Sequence, residues 1–188
     1  MEVISNAGGK FCNYLHLPLQ SGSSKVLKEM NRHYSAEDFE NRVKEIRQKI
    51  KNIFIYTDII AGFPTESLED FENSVNFVRK IGFAGLHVFS YSPRPMTAAA
   101  KLPQIDVKEI KRRADILREE DFILRKTAAE KLINTTQEIL VEDLTKDGKF
   151  QIATAANFQK VLVPLNSPKN TLVKVKITKA QDGICFGE

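Results

Sequence analysis

The chain is 188 residues long, 42% hydrophobic and 28% charged, with a formal net charge of +4 at neutral pH; this is the balance of a soluble globular protein, either one moderate domain or a larger piece with a small appendage. No window comes near the roughly eighteen consecutive apolar residues of a membrane-spanning helix, and the opening MEVISNAGGK has no basic segment followed by an apolar one, so neither a membrane partner nor a secretory leader is expected. Cys12 and Cys185 stand far apart with no C-x-x-C spacing, which excludes a disulfide framework and favours a reduced, cytoplasmic protein with two unpaired thiols, while the positive charge permits an anionic partner without requiring one.

Tyr14 to Leu19 (YLHLPL) reads as a short strand that Pro18 ends or places at an edge. Ser35-Ala36-Glu37-Asp38 is a capping-box start, and Phe39, Val43, Ile46 and Ile50 follow at helical spacing, which predicts an amphipathic helix with one buried stripe. Ile53 to Ile60 (IFIYTDII) is almost continuously apolar, as in a strand buried on both faces of a parallel sheet. Ser67 opens a second capped helix, with Leu68, Phe71, Val75, Val78 and Ile81 on its inner face. Leu86 to Phe89 (LHVF) predicts the next strand. Asp106 with Glu109 then opens a long charged helix whose stripe of Val107, Ile110, Ala114, Leu117 and Leu124 is broken by Asp121. Strands and helices alternating in this way predict right-handed βαβ units on a parallel sheet. Three such strands cannot close a (β/α) barrel, so the sheet is either a small open one or a portion of something larger.

Beyond about Asn134 the helical period stops. Gln137–Val141, Phe150–Ile152, Val161–Val163 and Leu172–Thr178 are short strand candidates separated by Asp147-Gly148 and Asn166-Ser167-Pro168, which predicts a small all-β, OB-like barrel. The chain thus divides into an α/β part over residues 1–133 and a β module over 134–188. Between Gly148 and Gln181 the module holds six lysines and no acid. Lys174 and Lys176 alternate with Val173, Val175 and Ile177, so the lysines project from one face of a strand while the apolar residues pack inward. Phe150 and Phe158 add aromatic surface. Lys160, Lys174, Lys176 and Phe158 are the candidate contacts to RNA, although a lysine-lined strand also guards a sheet edge against pairing.

In parallel α/β architectures, ligands gather at the carboxyl ends of the strands. Those ends carry three polar clusters: Gln20-Ser21-Gly22-Ser23-Ser24; Thr57 and Asp58 with Ala61-Gly62-Phe63-Pro64-Thr65-Glu66; and Ser90-Tyr91-Ser92-Pro93-Arg94-Pro95. Such a rim suits a polar ligand bearing a carboxylate or phosphate, yet Ser and Gly after a strand are also what any βα loop needs for its turn and cap. Asp58, a carboxylate inside an apolar strand, demands a partner whether its role is functional or structural. His16, His33 and His87 do not stand at metal-ligand spacings, so packed or hydrogen-bonded roles are expected for them and no metal site is expected.

Taken in order, HLPLQSGSSKVLKEMNRHYS, TDIIAGFPTES, LHVFSYSPRPMTAAA and ILVEDL resemble the C-terminal half of the radical-SAM methylthiotransferases, which thiomethylate an adenosine beside the tRNA anticodon or, in one branch, a ribosomal protein. The resemblance covers nearly the whole chain, and SYSPRPMTAAA with the lysine-bearing end is closest to the tRNA branch acting on threonylcarbamoyladenosine. It implies that residues 1–133 are the C-terminal part of a (β/α) barrel and that 134–188 are a TRAM domain, a small RNA-binding barrel. Gln20 and Ser21 would then face S-adenosylmethionine with Arg32 nearby, Thr57, Asp58, Gly62 and Phe63 would shape its pocket, and Phe89 and Tyr91 would close the rim. The parent enzymes use two [4Fe–4S] clusters, each held by three cysteines, one set in a C-x-x-x-C-x-x-C loop. This chain has two cysteines in all and hence no cluster ligands, so alone it is expected to be inactive, the cluster domain and the first part of the barrel being absent. Thr65 and Met96 also stand where the family carries glycine. A stand-alone RNA-binding module, or a partner subunit of a separate cysteine-bearing chain, is the alternative.

Overall fold

The computed structural model describes residues 11–188; the opening MEVISNAGGK, read above for targeting, lies outside the described residues. Strands β1 (Tyr14–His16), β2 (Phe54–Ala61) and β3 (Gly85–Ser90) form a three-stranded parallel sheet in chain order, as the alternation of strand and helix predicts. Between them run α1 (Ser24–Glu29), α2 (Ala36–Lys49) and α3 (Leu68–Ile81), and α4 (Val107–Glu130) follows β3 after an exposed loop with one 3₁₀ turn at Ala99–Lys101. Both expected capping boxes form: Ser35 with Asp38 starts α2, and Ser67 with Asp70 starts α3.

Alternation along the strands gives the sheet two unlike faces. Leu15, Ile55, Ile59, Leu86 and Val88 join one core with Val43, Ile46, Phe71, Val75, Val78, Ala114 and Leu117 from the helices. The opposite face carries Tyr14, His16, Phe54, Tyr56, Asp58, His87 and Phe89, as the strand register requires. Two residues assigned above to buried stripes are exposed instead, Leu68 at 54% and Val107 at 77%. Each is the first residue of its helix, one turn ahead of the core, so the stripe begins at Phe71 and Ile110. Asp121, which breaks the stripe of α4, accepts the Leu86 amide (2.6 Å) and the Arg125 Nε–H (2.8 Å), and Arg125 Nη2 donates to the Leu86 carbonyl (3.2 Å). These two side chains satisfy the outward backbone groups of Leu86 on the β3 edge, as a neighbouring strand would.

The second half is a closed five-stranded barrel, β4 (Thr136–Leu144), β5 (Gln151–Ala155), β6 (Lys160–Val163), β7 (Leu172–Gln181) and β8 (Ile184–Gly187), in the order β4-β5-β6-β8-β7, with β6 and β8 parallel and all other pairs antiparallel. The expected strands are present, and β8 is added. Its hairpin turn, Asp182-Gly183, has both residues at positive φ (51° and 78°), so the Asp-Gly pair is the readable sign of a strand too short to declare itself. Ile139, Val141, Ala153, Val161, Val163, Ile177 and Cys185 fill the barrel. Phe54, Tyr56 and Ala84 of the sheet and Ala128, Ala129 and Leu132 around the end of α4 belong to the same cluster. The amino end of the sheet's second face therefore packs on the barrel, while its carboxyl end stays open at His87 and Phe89.

Candidate functional site at the carboxyl rim of the sheet

β1 stops at His16 because Pro18 has no amide to give the ladder. Thr57 spans the break: its Oγ1 donates to the Leu17 carbonyl (2.6 Å) and accepts the Leu19 amide (3.0 Å). Pairing with β2 then resumes for one step, Gln20 N–H to Asp58 O and Ile60 N–H to Gln20 O, both at 2.9 Å, with Gln20 held at φ 74°. Such a conformation in a non-glycine residue stores strain at the mouth of the sheet. Tyr34 Oη donates to the Pro18 carbonyl (2.9 Å), so it braces this turn, and Arg32 is exposed beside it.

The next residues face α3. Ser21 is fully buried, its Oγ 3.2 Å from Ser74 Oγ, and Gly22 N–H donates to Ser74 Oγ at 3.0 Å. A Cβ on Gly22 would lie 2.7 Å from Ser74 Cα, so only glycine allows this approach. Ser23 Oγ–H (2.7 Å) and Lys25 Nζ (2.8 Å) both donate to Asp70. Burial alone would raise the Asp70 carboxyl, but hydrogen bonds from Lys25, Ser67 and Ser23 outweigh it and hold the group far below the usual carboxylate range. Ser21, Gly22 and Ser23 thus fasten the first loop to α3 and fix where Gln20 stands.

The second loop turns at Gly62 (φ 79°), whose N–H donates to Glu66 Oε2 (2.9 Å). Glu66 is buried and pairs with Arg113 Nη1 of α4 at 2.7 Å. Burial pushes its carboxyl up against the opposing pull of Arg113 and the Gly62 amide. Phe63 is buried and meets Tyr91 edge to face at 5.6 Å. Among the described residues, the Tyr91 hydroxyl and Thr65 Oγ1 are buried without a hydrogen-bond partner, an uncommon state for such groups. Phe89 stands on the open face, 51% exposed.

The strand register brings together three residues that their spacing in sequence kept apart. His16 and Asp58 lie on one face of β1 and β2, and His87 sits directly opposite Asp58 on β3. His16 Nε2 is 2.9 Å and His87 Nδ1 3.4 Å from the same Asp58 oxygen. His16 thus has a hydrogen-bonded role, and the convergence with His87 on Asp58 is one that the sequence spacing did not suggest. The missing information was the register of three parallel strands, which no local spacing encodes.

On the barrel, Lys174 and Lys176 project outward while Val175 and Ile177 are buried. Lys174 lies opposite Glu138 on β4, Lys176 opposite Thr136, and Lys160 is exposed at the start of β6. Phe158, at φ 63°, stacks on Tyr14 with ring centroids 4.1 Å apart and is 56% exposed, so one ring face joins barrel to sheet and much of the rest is open. Phe150 packs edge to face on Phe186 at 5.9 Å. Cys12 is exposed; Cys185 is buried, and burial pushes its thiol up to about 11. Two thiols, one of them in the barrel core, do not fit a [4Fe–4S] cluster, which needs at least three thiolates. Among the described residues no helix is long and apolar enough to cross a membrane.

Residues 1–78 match the family model of the radical SAM superfamily. Over its whole length the chain is 36% identical to a tRNA-2-methylthio-N(6)-dimethylallyladenosine synthase of Bdellovibrio bacteriovorus and 38% identical to one of Campylobacter jejuni, and over 95% of its length 39% identical to one of Endomicrobium trichonymphae. It spans only 42% of the first of these proteins and 43% of each of the others. All three carry the dimethylallyladenosine name, whereas SYSPRPMTAAA resembles the threonylcarbamoyladenosine branch. Among solved structures, the radical SAM enzyme coproporphyrinogen III oxidase (HemN) from Escherichia coli matches at a TM-score of 0.44 and 20% identity, over 62% of this chain and 27% of that one. By sequence, the chain is similar along its whole length to tRNA-2-methylthio-N(6)-dimethylallyladenosine synthases, and its first 78 residues match the radical SAM superfamily.

Proposed function

We propose that the chain is the C-terminal part of a cytoplasmic tRNA methylthiotransferase: the last portion of a radical SAM (β/α) barrel, residues 1–133, followed by an OB-like TRAM barrel, residues 134–188, that grips the tRNA. The observation that carries this reading is the identity of 36% across the full chain with a tRNA-modifying synthase, both halves included. The carboxyl rim supports it. Gln20, Asp58, Phe89, Tyr91 and Arg32 would line a pocket for S-adenosylmethionine, with Ser21, Thr57, Gly62 and Phe63 fixing its walls. The Tyr91 hydroxyl, without a hydrogen-bond partner among the described residues, would supply one polar contact there. Bound there, S-adenosylmethionine supplies the reactive sulfonium; the chain's own residues orient it and keep the strand ends dry. The cysteines present do not fit the clusters of the parent enzymes, so this chain alone carries no turnover, and the target adenosine would be of the dimethylallyl class.

Lys160, Lys174 and Lys176, with the open part of Phe158, would meet the RNA. Filter binding of unmodified tRNA to the 188-residue chain across a salt series tests this. Neutralising Lys174 and Lys176 together should weaken binding and flatten the slope of log K against log salt by about two. Equilibrium dialysis with labelled S-adenosylmethionine tests the rim. tRNA binding without S-adenosylmethionine binding would leave a stand-alone RNA-binding module as the better reading, and binding of neither would end both.

A further inference from the structure

We propose that His16, Asp58 and His87 form a binding site for one divalent transition-metal ion of the zinc class, a site that goes beyond the function proposed above and shares only Asp58 with it. Their three ligand atoms lie within 4.8 Å of one another. Zinc bonds to histidine nitrogen and carboxylate oxygen at about 2.0–2.2 Å, which sets neighbouring donors about 3.0–3.4 Å apart at octahedral or tetrahedral angles. The two separations here, 2.9 Å for His16 and 3.4 Å for His87, each measured to Asp58 Oδ1, match that spacing. Two imidazoles and one carboxylate are a donor set that suits Zn²⁺, Co²⁺ or Fe²⁺ with positions left for water or substrate.

Hydrogen bonding accounts for the His16–Asp58 pair but not for His87: among the described residues His87 makes no hydrogen bond and Asp58 Oδ2 accepts none, while His87 Nδ1 stands 3.4 Å from Asp58 Oδ1. The Tyr14 hydroxyl lies 3.5 Å from His16 Nδ1, on the far side of the ring, where an outer partner orients a ligating histidine. All three ligands stand on strands rather than loops, so the geometry is held by the sheet. Side-chain exposures of 28%, 25% and 49% for His16, Asp58 and His87 leave an entry path from the open face.

The test uses the 188-residue chain, stripped with chelator and carrying Cys12→Ser so that the exposed thiol cannot serve as ligand. Zn²⁺ is titrated against a chromogenic chelator, and Co²⁺ is followed by its visible absorption. One equivalent should bind, and His87→Ala and Asp58→Asn should each weaken Zn²⁺ at least tenfold with the far-ultraviolet dichroism unchanged. Imidazole NMR of the chain without those two substitutions gives an answer independent of their folding: Zn²⁺ should shift His16 and His87 and leave His33 in place. No saturable binding, affinity indifferent to both substitutions, or a shift confined to His33 would overturn the site. Asp58 also lines the pocket proposed for S-adenosylmethionine, so His87→Ala separates the two proposals: it should weaken Zn²⁺ and leave tRNA and S-adenosylmethionine binding unchanged.

Discussion

Thr57 shows how much one hydroxyl can hold. It is fully buried on the helix-covered face of β2 and makes both of the bonds that carry the chain past Pro18. Thr57→Val keeps the shape and the β-propensity but strands the Leu19 amide and the Leu17 carbonyl in a dry place. The expected loss is about 1–3 kcal/mol of stability, read from urea denaturation; a change below about 0.5 kcal/mol would mean that the turn holds without it. Sequence singled out Thr57 as a polar residue inside an apolar strand but could not say which way it faces. The same limit applies to Asp58: its need for a partner was legible, since a carboxylate in an apolar strand must be satisfied, but the partners come from strands β1 and β3.

At the scale of elements, helix starts were the most legible features, because a capping box is written within four residues and depends on nothing remote. The link from the first loop to α3 was not legible, since it joins Ser21, Gly22, Ser23 and Lys25 to Asp70 and Ser74 across the fold. Asp70 is both the capping residue of α3 and the anchor of this loop. Its carboxyl is held below its unfolded value, so its stabilisation is complete above about pH 4 and is lost as the pH falls toward the folded value. Asp70→Asn should therefore lie well below the parent in melting temperature at pH 7, and the gap should narrow steadily between about pH 4 and pH 2. A gap that stays constant over that interval would show that the charge is not what holds the loop. The fifth barrel strand was missed for a different reason: Ile184–Gly187 is too short to show a period, and only its Asp-Gly turn announces it.

For the whole molecule, α4 ends at Glu130 and the first barrel strand begins at Thr136, beside the change of periodicity near Asn134, but the shared core was not legible. Phe54, Tyr56 and Ala84 are buried against the same cluster as Ile139 and Ile177, and Tyr14 stacks on Phe158. Two parts joined through a common core unfold together. Ile177→Ala, which removes a fully buried barrel side chain, should cost about 2–5 kcal/mol and lower one transition seen alike by Tyr fluorescence in the sheet and by backbone dichroism. Two separated transitions would show that the barrel is an independent unit.

That common core has a geometric consequence. The carboxyl rim of the sheet and the lysine-bearing outer face of β7 are fixed to one body, with no slack segment between them. A partner that touched both would have to bridge a set separation, as an object does against the marks of a ruler.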